Sequence, residues 1–161
     1  MSDVVATFDD GTRIVTFDPR FRDDFRRLNV AWLTRYFRVE PIDELVLGNP
    51  ESEIIQSGGE VLFALFDERV VGTVALKWEQ PGEFELTKMA VDEPSQGRGF
   101  GRRLLSAAEL VAKQRGAKKL ILYSQRSLAP AIRLYQSFGF KEIPLRDQRY
   151  SRCDIKMERA L

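Results

Sequence analysis

The chain has 161 residues, of which 43% are hydrophobic and 30% are charged, and its formal net charge is +1. This length suits one globular domain, and the near-neutral charge gives no sign of the basic surface that binds nucleic acid, so we expect no such partner. The chain contains no histidine. This absence excludes Ser-His-Asp and Cys-His nucleophilic mechanisms, and with a single cysteine it leaves no ordinary ligand set for zinc, so we expect no metal site.

The sequence also predicts a location. Cys153 is the only cysteine and therefore cannot form an internal disulfide. No apolar run is long enough to cross a membrane, and the first ten residues lack the basic-then-apolar pattern of a signal peptide. We therefore expect a cytoplasmic protein without a membrane partner, and the sequence leaves open whether it is a monomer or a homodimer.

The first part of the chain predicts a β-hairpin followed by two helices. An Asp-Gly pair at residues 10 and 11 separates two β-prone segments, and Asp18-Pro19 can cap and begin a helix. The predicted elements are strands Val4–Phe8 and Thr12–Phe17 and helices Pro19–Phe37 and Pro41–Leu47.

The rest of the chain alternates strands and helices. Its predicted strands are Glu60–Phe66, Val70–Trp78, Phe84–Val91, Lys119–Tyr123, Lys141–Pro144 and Ser151–Met157, and its predicted helices are Gly99–Arg115 and Leu128–Phe138. This order predicts a mixed α/β sheet with helices on both faces.

The most informative segment is a glycine-rich turn between a strand and a long amphipathic helix. It runs from Gln96 to Gly101 and contains glycines at three alternate positions. Glycines let an anion approach the backbone, and the N–H groups of the first helical turn point at that anion. The turn therefore indicates a phosphate site, although a tight connection without a ligand is the plainer alternative.

The spacing of the turn excludes two nucleotide motifs. A Walker A loop needs Lys followed by Ser or Thr after its last glycine, where this chain has Arg102 and Arg103. A dinucleotide fingerprint needs a glycine where this chain has Arg102 or Leu104. It also needs an acidic residue after the next strand, and none lies between Glu109 and Glu142.

Two motifs together resemble the GNAT N-acetyltransferase superfamily. Gln96, Gly99 and Gly101 match its acetyl-CoA signature, and the later helix ends in Leu134-Tyr135-Gln-Ser-Phe-Gly139-Phe140, as in the family. The resemblance covers nearly the whole chain, and it implies a single domain over residues 1–161. It also implies a mostly antiparallel sheet with a splayed parallel pair in its middle, and acetyl-CoA as the cofactor.

The resemblance implies which residues bind that cofactor. Backbone groups of the strand before the turn would pair with pantetheine, and backbone N–H groups of the turn would bind the pyrophosphate, with arginine side chains as plausible partners. The implied cofactor residues are Met89, Ala90, Val91, Gln96, Gly97, Arg98, Gly99, Phe100, Gly101, Arg102 and Arg103.

The resemblance also implies two catalytic residues. Tyr135 matches the tyrosine that protonates the departing thiolate, although on its helical face it could equally be a core aromatic. Glu85 stands where one branch of the family places its general base; Glu83 could compete, and a solvated carboxylate is the alternative. The family often has Asn at the position of Leu128, so the chain departs from the pattern there.

The acceptor site is implied least clearly. The family places it between the first two helices and the last strands, where Trp32, Tyr36 and Glu40 are our candidates. Further candidates are Phe37, Asp43, Tyr150, Arg152 and Cys153. The sequence thus predicts an N-acetyltransferase acting on a primary amine, of a small molecule or of a peptide or protein. The alternative is a non-catalytic acyl-CoA-binding or sensing module.

Overall fold

The sheet is the centre of the structure, a computed structural model that describes residues 2–161. Its strands are β1 Val4–Thr7, β2 Arg13–Val15, β3 Glu60–Phe66, β4 Arg69–Gln80, β5 Glu83–Val91, β6 Lys119–Ser124, β7 Lys141–Ile143 and β8 Ile155–Ala160. They lie in the order β1-β2-β3-β4-β5-β6-β8-β7. Within residues 2–161, the one parallel pair is β5 with β6. The predicted mixed sheet is confirmed.

Four helices cover the two faces of the sheet. They are α1 Arg22–Tyr36, α2 Pro41–Gly48, α3 Phe100–Gln114 and α4 Ala129–Ser137. Helices α1 and α2 pack with one core cluster, which includes Phe25, Leu47 and Phe63. Helix α3 packs with the other through Leu104 and Leu105. Each face therefore buries its own apolar layer, which is the predicted arrangement.

The start of the helical region follows from its capping residues. The Asp18 side chain accepts a hydrogen bond from the Arg20 backbone N–H (2.9 Å), which begins a 3-10 turn over Pro19–Phe21 ahead of α1. Helix α2 begins with a capping box, in which the Glu40 backbone N–H donates to Asp43 (2.9 Å).

Helix α4 is anchored differently from the other three helices. It contains no fully buried residue, and its side chains Ile132, Leu134 and Tyr135 are only partly buried against the cluster around α3. The apolar side chains of α4 that do not face this cluster therefore border open space.

The structure corrects the end of the chain. The last strand was predicted at Ser151–Met157, but β8 is Ile155–Ala160. The backbone instead turns at Tyr150, whose carbonyl accepts a hydrogen bond from the Cys153 N–H (3.2 Å). A π-helical turn over Glu51–Ile55 was not predicted either. The remaining strands and helices appear in the predicted order.

Candidate active site

The middle of the sheet opens where β5 and β6 part. Residues Glu83–Glu85 of β5 pair with Lys119–Ile121 of β6, and the two strands are paired over these residues alone. Beyond Glu85, β5 continues to Val91 and is hydrogen-bonded on its β4 side alone. Its other edge therefore offers backbone N–H and C=O groups that an amide-bearing ligand can pair with.

A bulge shapes this open edge. Thr87 pairs with Ala75 and Ala90 pairs with Thr73, so two residues of β5 lie opposite one residue of β4. The first of them, Lys88, has a φ of +55°. The left-handed conformation is unfavourable for a residue with a side chain, so the bulge concentrates backbone strain at the splay.

The glycine-rich turn lies at the end of this edge. Gly97 and Gly99 have φ values of +78° and +87°, and a Cβ atom at either position would meet no other heavy atom within 4 Å. The first helical hydrogen bond of α3 joins the Arg103 N–H to the Gly99 carbonyl (3.1 Å). The N–H groups of residues 100–102 thus have no intrahelical partner, and they border empty space that fits an anion.

A cleft of about 300 Å³ runs along the splayed edge and the turn. Most of the predicted cofactor residues lie on its wall, namely Met89, Ala90, Val91, Gln96, Gly97, Gly99, Phe100 and Gly101. The Gln96 side chain donates a hydrogen bond to the Val91 carbonyl (3.1 Å), which fixes the turn against the end of β5. Pro130, Ala131 and Leu134 of α4 form the opposite side.

The three predicted arginine side chains lie off this wall. Arg98 stacks on the Phe66 ring at 4.7 Å, and Arg102 stacks on the Phe138 ring at 5.4 Å. Arg103 is bound to the β1–β2 hairpin, donating to Asp10 at 2.8 Å. In this arrangement the backbone of the turn, and not these guanidinium groups, faces the cleft.

A second, smaller cavity of about 90 Å³ adjoins the cleft. The two share Trp32, Met89 and Ala131 as wall residues. Tyr135 lies on the wall of the smaller cavity, and its ring packs edge-on against Phe140 with centroids 6.0 Å apart. Burial, with a further contribution from Cys153, raises the pKa of Tyr135 to about 12. The phenol therefore keeps its proton at neutral pH.

Glu85 lies behind this cavity, and its side chain is 1% exposed. It accepts hydrogen bonds from Arg149 (2.8 Å) and from the Tyr150 hydroxyl (3.0 Å), and Arg149 is also paired with Glu79. Burial raises the pKa of Glu85 and outweighs the opposing effect of Arg149. Tyr150 lies on the cavity wall and Glu85 does not, so Tyr150 separates the carboxylate from the cavity.

The predicted acceptor residues divide into two groups. Trp32 lines both cavities, Phe37 lines the smaller one, and Tyr36 lines the cleft. Glu40 lies off both walls because its carboxylate accepts hydrogen bonds from Ser151 (2.7 Å) and Arg152 (2.8 Å).

A buried ion cluster lies beside the smaller cavity. Asp43, whose side chain is 0% exposed, accepts hydrogen bonds from Lys88 (2.8 Å) and from both terminal nitrogens of Arg152. Burial alone would raise the pKa of Asp43, but Arg152 and Lys88 hold it below its usual value. Lys88 and Arg152 line the cavity, whereas Asp43 stands behind them. The alternation of β5 does not predict this cluster, because the bulge at Lys88 interrupts the two-residue repeat of the strand.

Cys153 also lies on the cavity wall, in the turn before β8 and not on a strand as predicted. Burial raises the pKa of its thiol to about 11. Because the thiolate is the nucleophilic form, this cysteine is a poor candidate for a covalent acyl intermediate.

Residues 20–140 match the sequence model of the Acetyltransferase (GNAT) family. The chain belongs to this family. The GNAT chain is 30% identical over 105 residues to the uncharacterized N-acetyltransferase YvbK of Bacillus subtilis, covering 63% of this chain and 68% of that protein. It is 36% identical over 86 residues to a mycothiol acetyltransferase of Brachybacterium faecium. That match covers 51% of this chain and 26% of the mycothiol enzyme, so the chain spans about a quarter of that protein's length.

Solved structures have the same fold as this GNAT chain. A GNAT-family acetyltransferase of Staphylococcus aureus Mu50 superposes with a TM-score of 0.83 at 20% identity, over 93% of this chain and 99% of that one. A GNAT-family acetyltransferase of Elizabethkingia anophelis, solved with acetyl-CoA bound, gives 0.72 at 22% identity over 96% and 100% of the chains. The fold that the two motifs implied is confirmed.

Two features are absent from residues 2–161. No helix there is long and apolar enough to cross a bilayer. The same residues contain no group of three or more His, Cys, Asp or Glu side chains placed to hold a metal ion.

Proposed function

We propose that this GNAT protein is an N-acetyltransferase that moves an acetyl group from acetyl-CoA to a primary amine, by direct attack in a ternary complex. The observation that carries the proposal is the pair of adjoining cavities, a cleft suited to a cofactor and a smaller cavity, lined by Tyr135, suited to an acceptor. The acceptor can belong to a small molecule or to a peptide or protein. Acetyl-CoA supplies the activated thioester.

The cleft fits this cofactor in three respects. The free edge of β5 suits the amides of pantetheine, and the open space at Gly97 and Gly99 suits a pyrophosphate. Among residues 2–161, no carboxylate lies on the cleft wall to repel the pyrophosphate. In this proposal the backbone N–H groups of residues 100–102 bind the phosphates. The side chains of Arg98, Arg102 and Arg103 then add only a longer-range attraction.

Tyr135 is the proposed general acid. When the amine attacks, the carbon–sulfur bond breaks and the departing thiolate takes the Tyr135 proton. Full transfer from a phenol with a pKa of about 12 to a solvated thiolate would be unfavourable. However, Cys153 shows how this cavity affects a thiol, since burial raises its pKa to about 11. A leaving thiolate that is likewise removed from water is more basic than a solvated one, which favours the transfer.

Glu85 is the proposed final acceptor of the proton lost by the amine. Because Tyr150 lies between Glu85 and the cavity, the transfer runs in two linked parts. The amine gives its proton to the Tyr150 oxygen as the Tyr150 proton moves to Glu85 across a 3.0 Å hydrogen bond. The raised pKa of Glu85 favours this step, because an effective base has a pKa near the working pH.

Two measurements test the proposal against the alternative of a non-catalytic acyl-CoA-binding or sensing module. Acetyl-CoA should raise the unfolding temperature, because a ligand that binds only the native state stabilises it. A broad screen of amines should then release free CoA thiol. Stabilisation by acetyl-CoA without CoA release from any amine would favour the sensing module, and absence of stabilisation would refute the cofactor site. A single domain over residues 1–161, a cytoplasmic location and a monomeric or dimeric state stay predictions.

A further inference from the structure

The charged side chains around the smaller cavity, which we propose holds the acceptor, have a definite arrangement. Lys88 and Arg152 lie on its wall, and no Asp or Glu of the described chain does. Their partners, Asp43 and Glu40, stand behind them. These four charges sum to zero, but of the four residues only the two positively charged ones lie on the cavity wall. A ligand group beside them is therefore favoured if it is negatively charged.

Lys88 is held in this place against two unfavourable effects. Its side chain is only 4% exposed, and burying an ammonium group is unfavourable unless it is paired. Its φ of +55° adds backbone strain. A buried apolar residue would avoid the first effect, and such strain tends to persist at sites of ligand binding or catalysis.

The hydrogen bonds of the cluster leave Lys88 as the group able to bind a ligand. An ammonium has three N–H donors, and within residues 2–161 Lys88 directs one of them, to Asp43 (2.8 Å). Both terminal nitrogens of Arg152 are bonded to Asp43, and one of them also to Glu40. The Lys88 ammonium lies 4.8 Å from the centre of the Tyr150 ring. An anion bound to Lys88 is therefore next to the Tyr150 ring.

We propose that the acceptor is an amino acid whose carboxylate binds Lys88 while its amine lies at Tyr150. This inference rests on the proposed function and names its substrate class. The cavity wall provides a different partner for each end of an amino acid, with Lys88 for the carboxylate and Tyr150, whose hydroxyl is hydrogen-bonded to Glu85, for the amine. One or two carbon atoms between the two groups keep the amine next to the Tyr150 ring, whose centre lies 4.8 Å from the Lys88 ammonium. A polycationic amine would instead meet Lys88 and Arg152.

The test compares each L-amino acid with its carboxamide, which keeps the amine and removes the negative charge. CoA thiol release is followed with a thiol reagent at saturating acetyl-CoA. A hydrogen bond between two buried charges predicts a ten- to hundredfold lower KM for the preferred acid than for its amide. Equal or better use of the amides refutes the carboxylate site. Release of CoA by no amine at all refutes the proposed function instead, so the two failures are distinguishable.

Two variants of Lys88 then test whether the preference for the acid over its amide depends on this residue. Lys88→Met should abolish the preference for the acid, mainly through KM, and Lys88→Arg should keep most of it. Lys156→Met is the matched control, because Lys156 also stacks on a tyrosine ring, that of Tyr123 at 5.1 Å, but lies off the cavity wall. It should keep the wild-type preference. Stabilisation by acetyl-CoA verifies that each variant is folded.

Lys88 as a general base is the outcome that would overturn this assignment. An arginine cannot lose its proton in a protein, so a Lys88→Arg variant that loses kcat and its pH dependence as fully as Lys88→Met would mean that Lys88 accepts the amine proton. A shift in KM alone, with the pH profile kept, supports carboxylate binding.

Discussion

Replacing Gly99 by alanine tests two properties of the glycine-rich turn separately, its backbone conformation and its open space for a ligand. Gly99 has a φ of +87°, and an added Cβ would meet nothing within 4 Å. The substitution therefore introduces backbone strain without a clash. Forcing an L-residue into the left-handed region costs about 1–2 kcal/mol. For a domain of this size, each kcal/mol lowers the unfolding temperature by about 2–4 °C.

The same methyl group would occupy the open space in which we place the pyrophosphate. Loss of one or two charge-assisted hydrogen bonds predicts a ten- to hundredfold weaker Kd for acetyl-CoA. At a concentration 100 times the wild-type Kd, acetyl-CoA should stabilise the wild type by about 2.7 kcal/mol. It should stabilise Gly99→Ala by only about 1.4 kcal/mol at a tenfold weaker Kd and about 0.4 kcal/mol at a hundredfold weaker one.

Gly116→Ala is the matched control for this measurement. Gly116 has a φ of +80°, and an added Cβ there also meets nothing, but it lies beyond the far end of the 15-residue helix α3. Both variants should therefore lose similar stability without ligand. Only Gly99→Ala should lose stabilisation by acetyl-CoA in thermal unfolding followed by circular dichroism. If both respond to acetyl-CoA as the wild type does, the turn does not hold the pyrophosphate.

Three further outcomes follow from the site. Tyr135→Phe should lower kcat at least about a hundredfold, the usual effect of losing a general acid, and leave acetyl-CoA binding unchanged by calorimetry; an unchanged kcat would exclude Tyr135. Because Glu85 must be ionised to accept a proton and its pKa is raised, kcat should fall as pH drops through that raised pKa. Glu85→Gln should abolish this dependence, and an identical pH profile would contradict the relay. Asp43→Asn should cost about 3–5 kcal/mol in urea unfolding at pH 7, since it leaves Lys88 and Arg152 without their shared carboxylate. The pKa of Asp43 is lower in the folded state than in the unfolded state. The ionised carboxylate therefore stabilises the fold fully above the unfolded pKa of about 3.9, and this stabilisation is lost as the pH falls through the folded pKa. The difference between wild type and variant should therefore narrow in acid, and a constant difference would contradict the pairing.

The sequence predicted the fold well because its signals are local. Asp18 caps the first helical segment, Gly99 is the N-cap of α3, and the Asp-Gly pair at residues 10 and 11 joins β1 to β2. Each of these depends on residues a few positions apart. The last strand was misplaced because residues 151–153 are compatible with a strand by composition, and only the Tyr150 carbonyl, bonded to Cys153, turns the chain there.

The side-chain contacts inside the site could not be predicted from the sequence, because they join residues that are far apart in the chain. The positions of the proposed cofactor residues followed from one continuous segment, but Lys88 and Asp43 are 45 residues apart, and Glu85 and Tyr150 are 65 apart. No local pattern states that a strand carboxylate will be enclosed by a loop near the end of the chain. The directions of the side chains of Arg98, Arg102 and Arg103 could not be predicted for the same reason.

Helix α4 links the binding of the cofactor to the placement of Tyr135. It has no fully buried residue of its own, and Pro130, Ala131 and Leu134 border the cleft. A ligand there removes their apolar surface from water, at about 25 cal/mol per Å². A cofactor bound there would therefore complete the apolar packing of α4. We therefore expect helix α4, which carries the proposed acid Tyr135, to be held most firmly when the cleft is filled.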